Sequence, residues 1–178
     1  MTNYSSSRIN KYFLDSDNSQ LAHEKGKIFE DLSCYIFEKV PGISITMRNA
    51  MNTFDTEEID VALWNNRIRK GLHFLPYIIL VECKNWSSAV SSIEVNWFAS
   101  KLEDRGLDFG ILIAANGITG NNDEINRAHF IVARHLAAGR RIIIIKRTEI
   151  EQLQNTDQFV LLIQTKLCEL AVAGVAFQ

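Results

Sequence analysis

Apolar and polar positions follow two rhythms along this chain. From Leu21, the residues Ile28, Phe29, Leu32, Ile36 and Phe37 recur at three- and four-residue steps, the period of one helix face. The tripeptide "VPG" at 40–42 ends that helix. "ISITMRN" then reads as a strand, and "EEIDVALWN" sets Ile59, Val61 and Leu63 against Asp60, Ala62 and Trp64, an alternation of period two. A turn-rich, basic segment at 65–73 leads to a third strand, "YIILVECK". A helix from about Ser92 to Asp104 follows, with Ile93, Trp97 and Leu102 turned inward. "FGILIAAN" and "RIIIIK" are apolar throughout, as strands covered on both faces are. Between them "GITGNND" supplies Asn or Asp caps for a helix from about Glu124 to Ala138, which Gly139 stops. "TEIEQL" and the apolar C-terminal segment close the chain as helices, and the residues before about Gln20 are polar, either loose or a short helix. This order predicts an α/β fold: a central mixed β-sheet flanked by helices on both faces.

Composition narrows the class without changing that picture. The 178 residues are enough for one domain with its own core, and 47% apolar against 22% charged excludes a disordered chain. Cys34, Cys83 and Cys168 show no CxxC spacing, so neither a disulfide framework nor a Cys-rich zinc site is expected. The start "MTNYSSSRIN" has no apolar signal region, and "FVLLIQTKLCELAVAGVAF" carries Gln164, Lys166 and Glu169, which makes it a packed helix rather than a membrane span. A cytoplasmic protein with no membrane partner is the resulting expectation. The net charge of −2 argues against a nonspecific nucleic-acid coat, while local basic surface remains at Arg67, Arg69 and Lys70, at Lys25 and Lys27, and at Arg140-Arg141. Taken singly, each of these clusters also reads as a solvated face.

The chemistry concentrates in "VECKNW", residues 81–86. Side chains alternate across a strand, so Glu82 and Lys84 share one face and Cys83 takes the other. If the strand carrying Asp60 pairs with this one as a hairpin, Asp60 faces Glu82. Two adjacent carboxylates repel and need a proton, an ammonium or a divalent cation between them. A hard cation such as Mg²⁺ takes carboxylate, carbonyl and water oxygens, and the Cys83 carbonyl lies on the same strand edge. As an isolated pattern, ExK is also what a plain surface ion pair looks like. Glu58 reads as a surface acid, His73 as a loop histidine, and Trp86 and Trp97 as packing aromatics; "NGITGNN" lacks the GxxxxGK of a phosphate loop.

The order of these pieces resembles the PD-(D/E)xK nuclease superfamily, and within it the Mrr-like restriction endonucleases. "GKIFEDL" with Gly26, Phe29 and Glu30, "EEIDVAL" with Asp60, "LVECKNW" with Glu82 and Lys84, and "FGILIAANGITG" occur in the family's order. The resemblance covers roughly residues 21–153, leaving 1–20 as an N-terminal tail and 154–178 as an apolar helix packed on the domain or on a partner. It implies a metal-dependent endonuclease acting on DNA, with Mg²⁺ (or Mn²⁺) on Asp60, Glu82 and the Cys83 carbonyl, Lys84 assisting the water, and Glu30 as the first-helix acid. It implies no small-molecule organic cofactor and is compatible with a homodimer. Many such nucleases carry a glutamine on the helix after the motif; Glu94 and Asn96 are the polar residues there in this chain. The rival reading is a catalytically inactive nucleic-acid-binding or partner subunit that keeps the fold.

Overall fold

A computed structural model of the chain describes residues 1–52, 57–118 and 122–173. Its elements run α1 (Ser6–Asn18), α2 (Ala22–Glu38), β1 (Ile43–Met51), β2 (Glu58–Asn65), β3 (Ile78–Lys84), α3 (Ser92–Asp104), β4 (Phe109–Ala114), α4 (Asn122–Ala137), β5 (Arg141–Lys146), α5 (Arg147–Glu151) and α6 (Thr156–Ala173). The five strands form one mixed sheet in the order β1-β2-β3-β4-β5. The first three pair antiparallel, and β3, β4 and β5 pair parallel. Every side chain of β4 is buried, as the central strand of such a sheet requires.

Two helical layers enclose the sheet. Cys83 and Glu82 point to opposite faces: the Cys83 thiol meets Ser33 of α2 at 3.3 Å, while Glu82 meets Lys101 of α3. Helix α2 therefore covers one face and α3 the other. On α2, Phe29, Leu32, Ile36 and Phe37 are buried, as their spacing requires. On α3 the inward stripe is Val95, Phe98, Ala99 and Leu102; Ile93 and Trp97 are exposed, the reverse of the inward positions expected for them. The reason lies in β4. Gly110 has no side chain, and a Cβ there would fall 2.7 Å from Phe98 Cζ and 2.8 Å from a Leu102 methyl, so α3 seats directly on this glycine.

The polar N-terminus is structured. Ser5 caps α1 by accepting from the Arg8 amide, and Ile9, Phe13 and Ser16 are buried against α2. The chain before α1 is tied to the α5–α6 connection by Tyr4 N–H to the Gln154 carbonyl and by bonds between Thr2 and Thr156. At the other end, α6 buries Phe159, Ile163 and Leu170 and packs on β5, so its apolar stripe is covered within the chain. Of the caps expected from "GITGNND", Asn122 and Asp123 lie inside α4, which starts two residues earlier than expected, and Asn121 falls outside the described residues. No helix among the described residues is long and apolar enough to cross a membrane.

Candidate active site

The parallel strands β3, β4 and β5 end at the same edge of the sheet, and their carboxyl ends deliver Lys84, Asn116 and Arg147 to one place. In α/β sheets that edge is where ligands bind. A cleft of about 680 Å³ opens there, with Glu30 and Lys25 of α2, Asp60 of β2, Lys84 through Ser88 after β3, and Ser16 and Asp17 of α1 in its walls.

The hairpin sets the acidic pair. Val61 pairs with Val81, and the same register carried one step further puts Asp60 opposite Glu82 on the same face. The ladder stops there because Asp60 Oδ2 accepts the Cys83 amide at 2.7 Å. In a strand, a residue's N–H and C=O point to the same side, so the Cys83 carbonyl also faces the Asp60 side, while the Lys84 carbonyl accepts from Ala115, just past β4. Burial, and next the Glu82 charge, push Asp60 up to about 7. Glu82 is 4% exposed. Lys84 Nζ stands 2.9 Å from its Oε1, and Lys101 Nζ lies 3.1 and 2.9 Å from its two oxygens. Burial alone would lower the Lys84 pKa, but Glu82 outweighs it and the net shift is upward, so Lys84 is a protonated ammonium.

Phe29 is buried and Glu30, one residue on, lines the cleft. Burial raises the Glu30 carboxyl more than its hydrogen bond with Asn49 lowers it, and its Oε2 is buried without a hydrogen-bond partner among the described residues. Lys25 lines the same cleft, whereas Lys27, nearly half a helix turn away, is exposed outside it. The structure does not bring Arg67, Arg69 and Lys70 to this place. They follow β2, about 16 Å from Asp60 at roughly 3.3 Å per strand residue, and Arg67 is spent on the His73 carbonyl and the Tyr77 ring.

Three contributors escaped the sequence reading. Lys101 sits two helical turns after Glu94, and the two meet Glu82 and Lys84 respectively, the latter at 4.0 Å. Heptad spacing from Glu94 was the signal for Lys101. Asn96, by contrast, turns to Arg134 and His135 of α4. Arg147 and the α1 wall have a weaker signal, the arrival of β5 at the same edge. Asn85 joins that wall to the motif by donating to Ser16 Oγ and the Lys25 carbonyl.

No group of three His, Cys, Asp or Glu side chains arranged for a metal ion occurs among the described residues. The donors that are present are oxygens: the Asp60 carboxylate, its neighbour Glu82, the Cys83 carbonyl and the unpartnered Glu30 oxygen. One or two carboxylates completed by waters and substrate phosphate are the usual complement for Mg²⁺, so this donor set fits a hard divalent cation.

A family model described as restriction endonuclease matches residues 21–154. The chain belongs to the Mrr-type restriction endonuclease family. The match spans α2 through α5, which includes every strand of the sheet and every residue of the acidic pair and its lysines. It leaves α1 and α6 outside. A search of curated proteins finds no match.

Proposed function

We propose that this member of the family is an active, divalent-metal-dependent endonuclease that hydrolyses phosphodiester bonds of DNA. The observation that supports it best is the juxtaposition of Asp60, Glu82 and the Lys84 ammonium, with Asp60 and Lys84 in the cleft wall and the Asp60 carboxyl raised by burial and by Glu82 more than Lys84 and the Cys83 amide lower it. A buried carboxylate in that condition costs stability, and a cation from outside would relieve the cost.

In this reading Asp60, Glu82 and the Cys83 carbonyl would hold Mg²⁺ or Mn²⁺, with Glu30 available to a second ion or to a coordinated water. When bound, the cation would supply a polarised phosphate oxygen and a water of lowered pKa. Lys101 fixes the Glu82 carboxylate in place through both oxygens. Lys84, being an ammonium, donates: it orients the attacking water and stabilises charge developing on the phosphate, rather than taking a proton. Lys25 on the cleft wall meets the backbone of the nucleic acid. Cys83 serves through its main chain; its thiol is buried against Ser33.

One observation favours the inactive-module reading, namely that both Glu82 oxygens are already engaged by ammonium groups. The experiment that decides pairs calorimetric metal binding with plasmid cleavage in Mg²⁺, Mn²⁺ or EDTA. Wild type is expected to cleave only with metal. Glu82→Gln is expected to lose metal affinity and cleavage, Lys84→Ala to bind metal without cleaving, and Cys83→Ser to do both. Full cleavage by Lys84→Ala in Mg²⁺ defeats the mechanism, and absence of cleavage by wild type in either metal leaves the inactive module.

A further inference from the structure

Arg147 is the cation of the cleft that the proposed chemistry does not use. Its guanidinium is held on three sides. Nη1 and Nη2 take the two oxygens of Asp17 at 2.7 and 2.9 Å, Nε takes Glu151 at 2.7 Å, and Cζ lies 4.3 Å over the Phe13 ring. A two-pronged fork of this kind is the geometry by which arginine takes a phosphate as readily as a carboxylate. Phe13 and Glu151 fix the plane of the guanidinium from below and behind. The two prongs face the cleft wall, where the partner is a half-exposed side chain on the last turn of α1.

Helix α1 does not depend on Asp17 alone for its position. That helix is anchored by buried Ile9 and Phe13, by Ser16 on Asn85, and by the main-chain bonds before it. The carboxylate is half-exposed, and its partner is Arg147. Strand β5 lies two strand spacings, about 9.5 Å, from β3, so Arg147 stands along the cleft from Lys84 rather than at the same phosphate. Lys25 shares that cleft.

We infer that Arg147 is a phosphate-binding residue of the cleft and that Asp17 occupies its fork as a carboxylate stand-in until a nucleic-acid phosphate displaces it. The inference rests on the nuclease reading and extends it to a second point of contact, Arg147 at the start of α5, which Asp17 of α1 covers in the free protein. Helix α1, outside the matched residues 21–154, then sets how tightly the cleft takes nucleic acid.

The test is fluorescence anisotropy of the full chain with a labelled DNA duplex and with one of its strands, in EDTA, across a KCl series. Asp17→Asn is expected to tighten binding about two- to fivefold, the range in which a partly exposed ion pair competes. In the Asp17→Asn background, Arg147→Gln is expected to weaken binding and to lower the slope of log affinity against log salt by about 0.9 for the duplex or about 0.7 for the single strand. Thermal melts of each variant accompany the titrations. Unchanged or weaker binding by Asp17→Asn overturns the inference, as does a folded double variant whose salt slope equals that of Asp17→Asn. Absence of plasmid cleavage by wild type in Mg²⁺ or Mn²⁺ removes the nuclease reading itself, an outcome distinct from wild-type binding that these variants do not move.

Discussion

The two ends of the β2–β3 hairpin bury polar groups in opposite ways. At the turn end, Asn65 is fully buried and its amide donates to the carbonyls of Leu72, Pro76 and Leu75 at 2.8, 3.1 and 3.3 Å. Its side-chain oxygen accepts the Arg67 amide at 3.0 Å, which holds Arg67 in the left-handed region at φ 54. Each demand is met inside the chain. At the open end, Asp60 accepts the Cys83 amide beside a second carboxylate, and Glu30, which hydrogen-bonds Asn49, keeps one buried oxygen without a partner among the described residues. Satisfied burial makes the turn a scaffold. Unsatisfied burial marks the place where something from outside is to complete the electrostatics.

Breaking the open end should cost activity, and breaking the turn should cost stability. The largest losses of activity are expected at Asp60 and Lys84; for Lys84→Ala the plasmid cleavage rate should fall about 10²- to 10³-fold, the scale for removing one donor aimed at a developing charge. Glu82 keeps Lys101, so the fold should survive. Next comes Asn65→Ala, which strands several buried main-chain groups and should cost about 3 kcal/mol of unfolding free energy in urea, with metal affinity unchanged by calorimetry. Lost metal affinity in a folded Asn65→Ala protein would merge the two ends into one unit.

Asp60→Asn should move stability the other way. Between the ordinary value of 3.8 and about 7, folded protein keeps a proton on Asp60 that the unfolded chain has released. Stability therefore falls as pH rises through that window. Asp60→Asn removes this slope and should stabilise the protein by about 2 kcal/mol at pH 8 while abolishing cleavage. The same proton must leave when a cation binds, so calorimetry in buffers of different ionisation enthalpy should show proton release at pH 6 and little at pH 9. A destabilised Asp60→Asn protein at pH 8 would mean that its charge is met by residues of the chain.

The smallest effect is expected at the turn end. Neutralising Arg67, Arg69 and Lys70 together should change cleavage by less than about threefold at physiological salt, because they lie well beyond the roughly 8 Å screening length from Asp60. Lys25→Ala should cost more. A triple variant that loses more than Lys25→Ala would extend the nucleic-acid path along the whole hairpin and return those three residues to the interface.

Much of this arrangement was legible in the chain itself. Period-two alternation located β2, unbroken apolar runs located β4 and β5, and "VECKNW" located the acidic pair with its first lysine. Periodicity does not decide where two apolar stripes compete on one helix. Ile93 and Trp97 form a stripe on α3, and so do Val95, Phe98, Ala99 and Leu102; only the gap at Gly110 selects the second. The same orientation turns Lys101 onto Glu82 and Asn96 onto α4. Polarity alone does not distinguish them.

Local periodicity and strand alternation are consequences of covalent geometry, so the sequence by itself located the strands and most helices and put Glu82 and Lys84 on one face, but it left α1 open. Which distant residues meet at the carboxyl edge depends on strand order and on how each helix seats against the sheet. Only the tertiary structure could therefore decide that Lys101 holds Glu82, that the Arg67 cluster lies at the far end, and that Asp17 of α1 reaches Arg147 across 130 residues of chain.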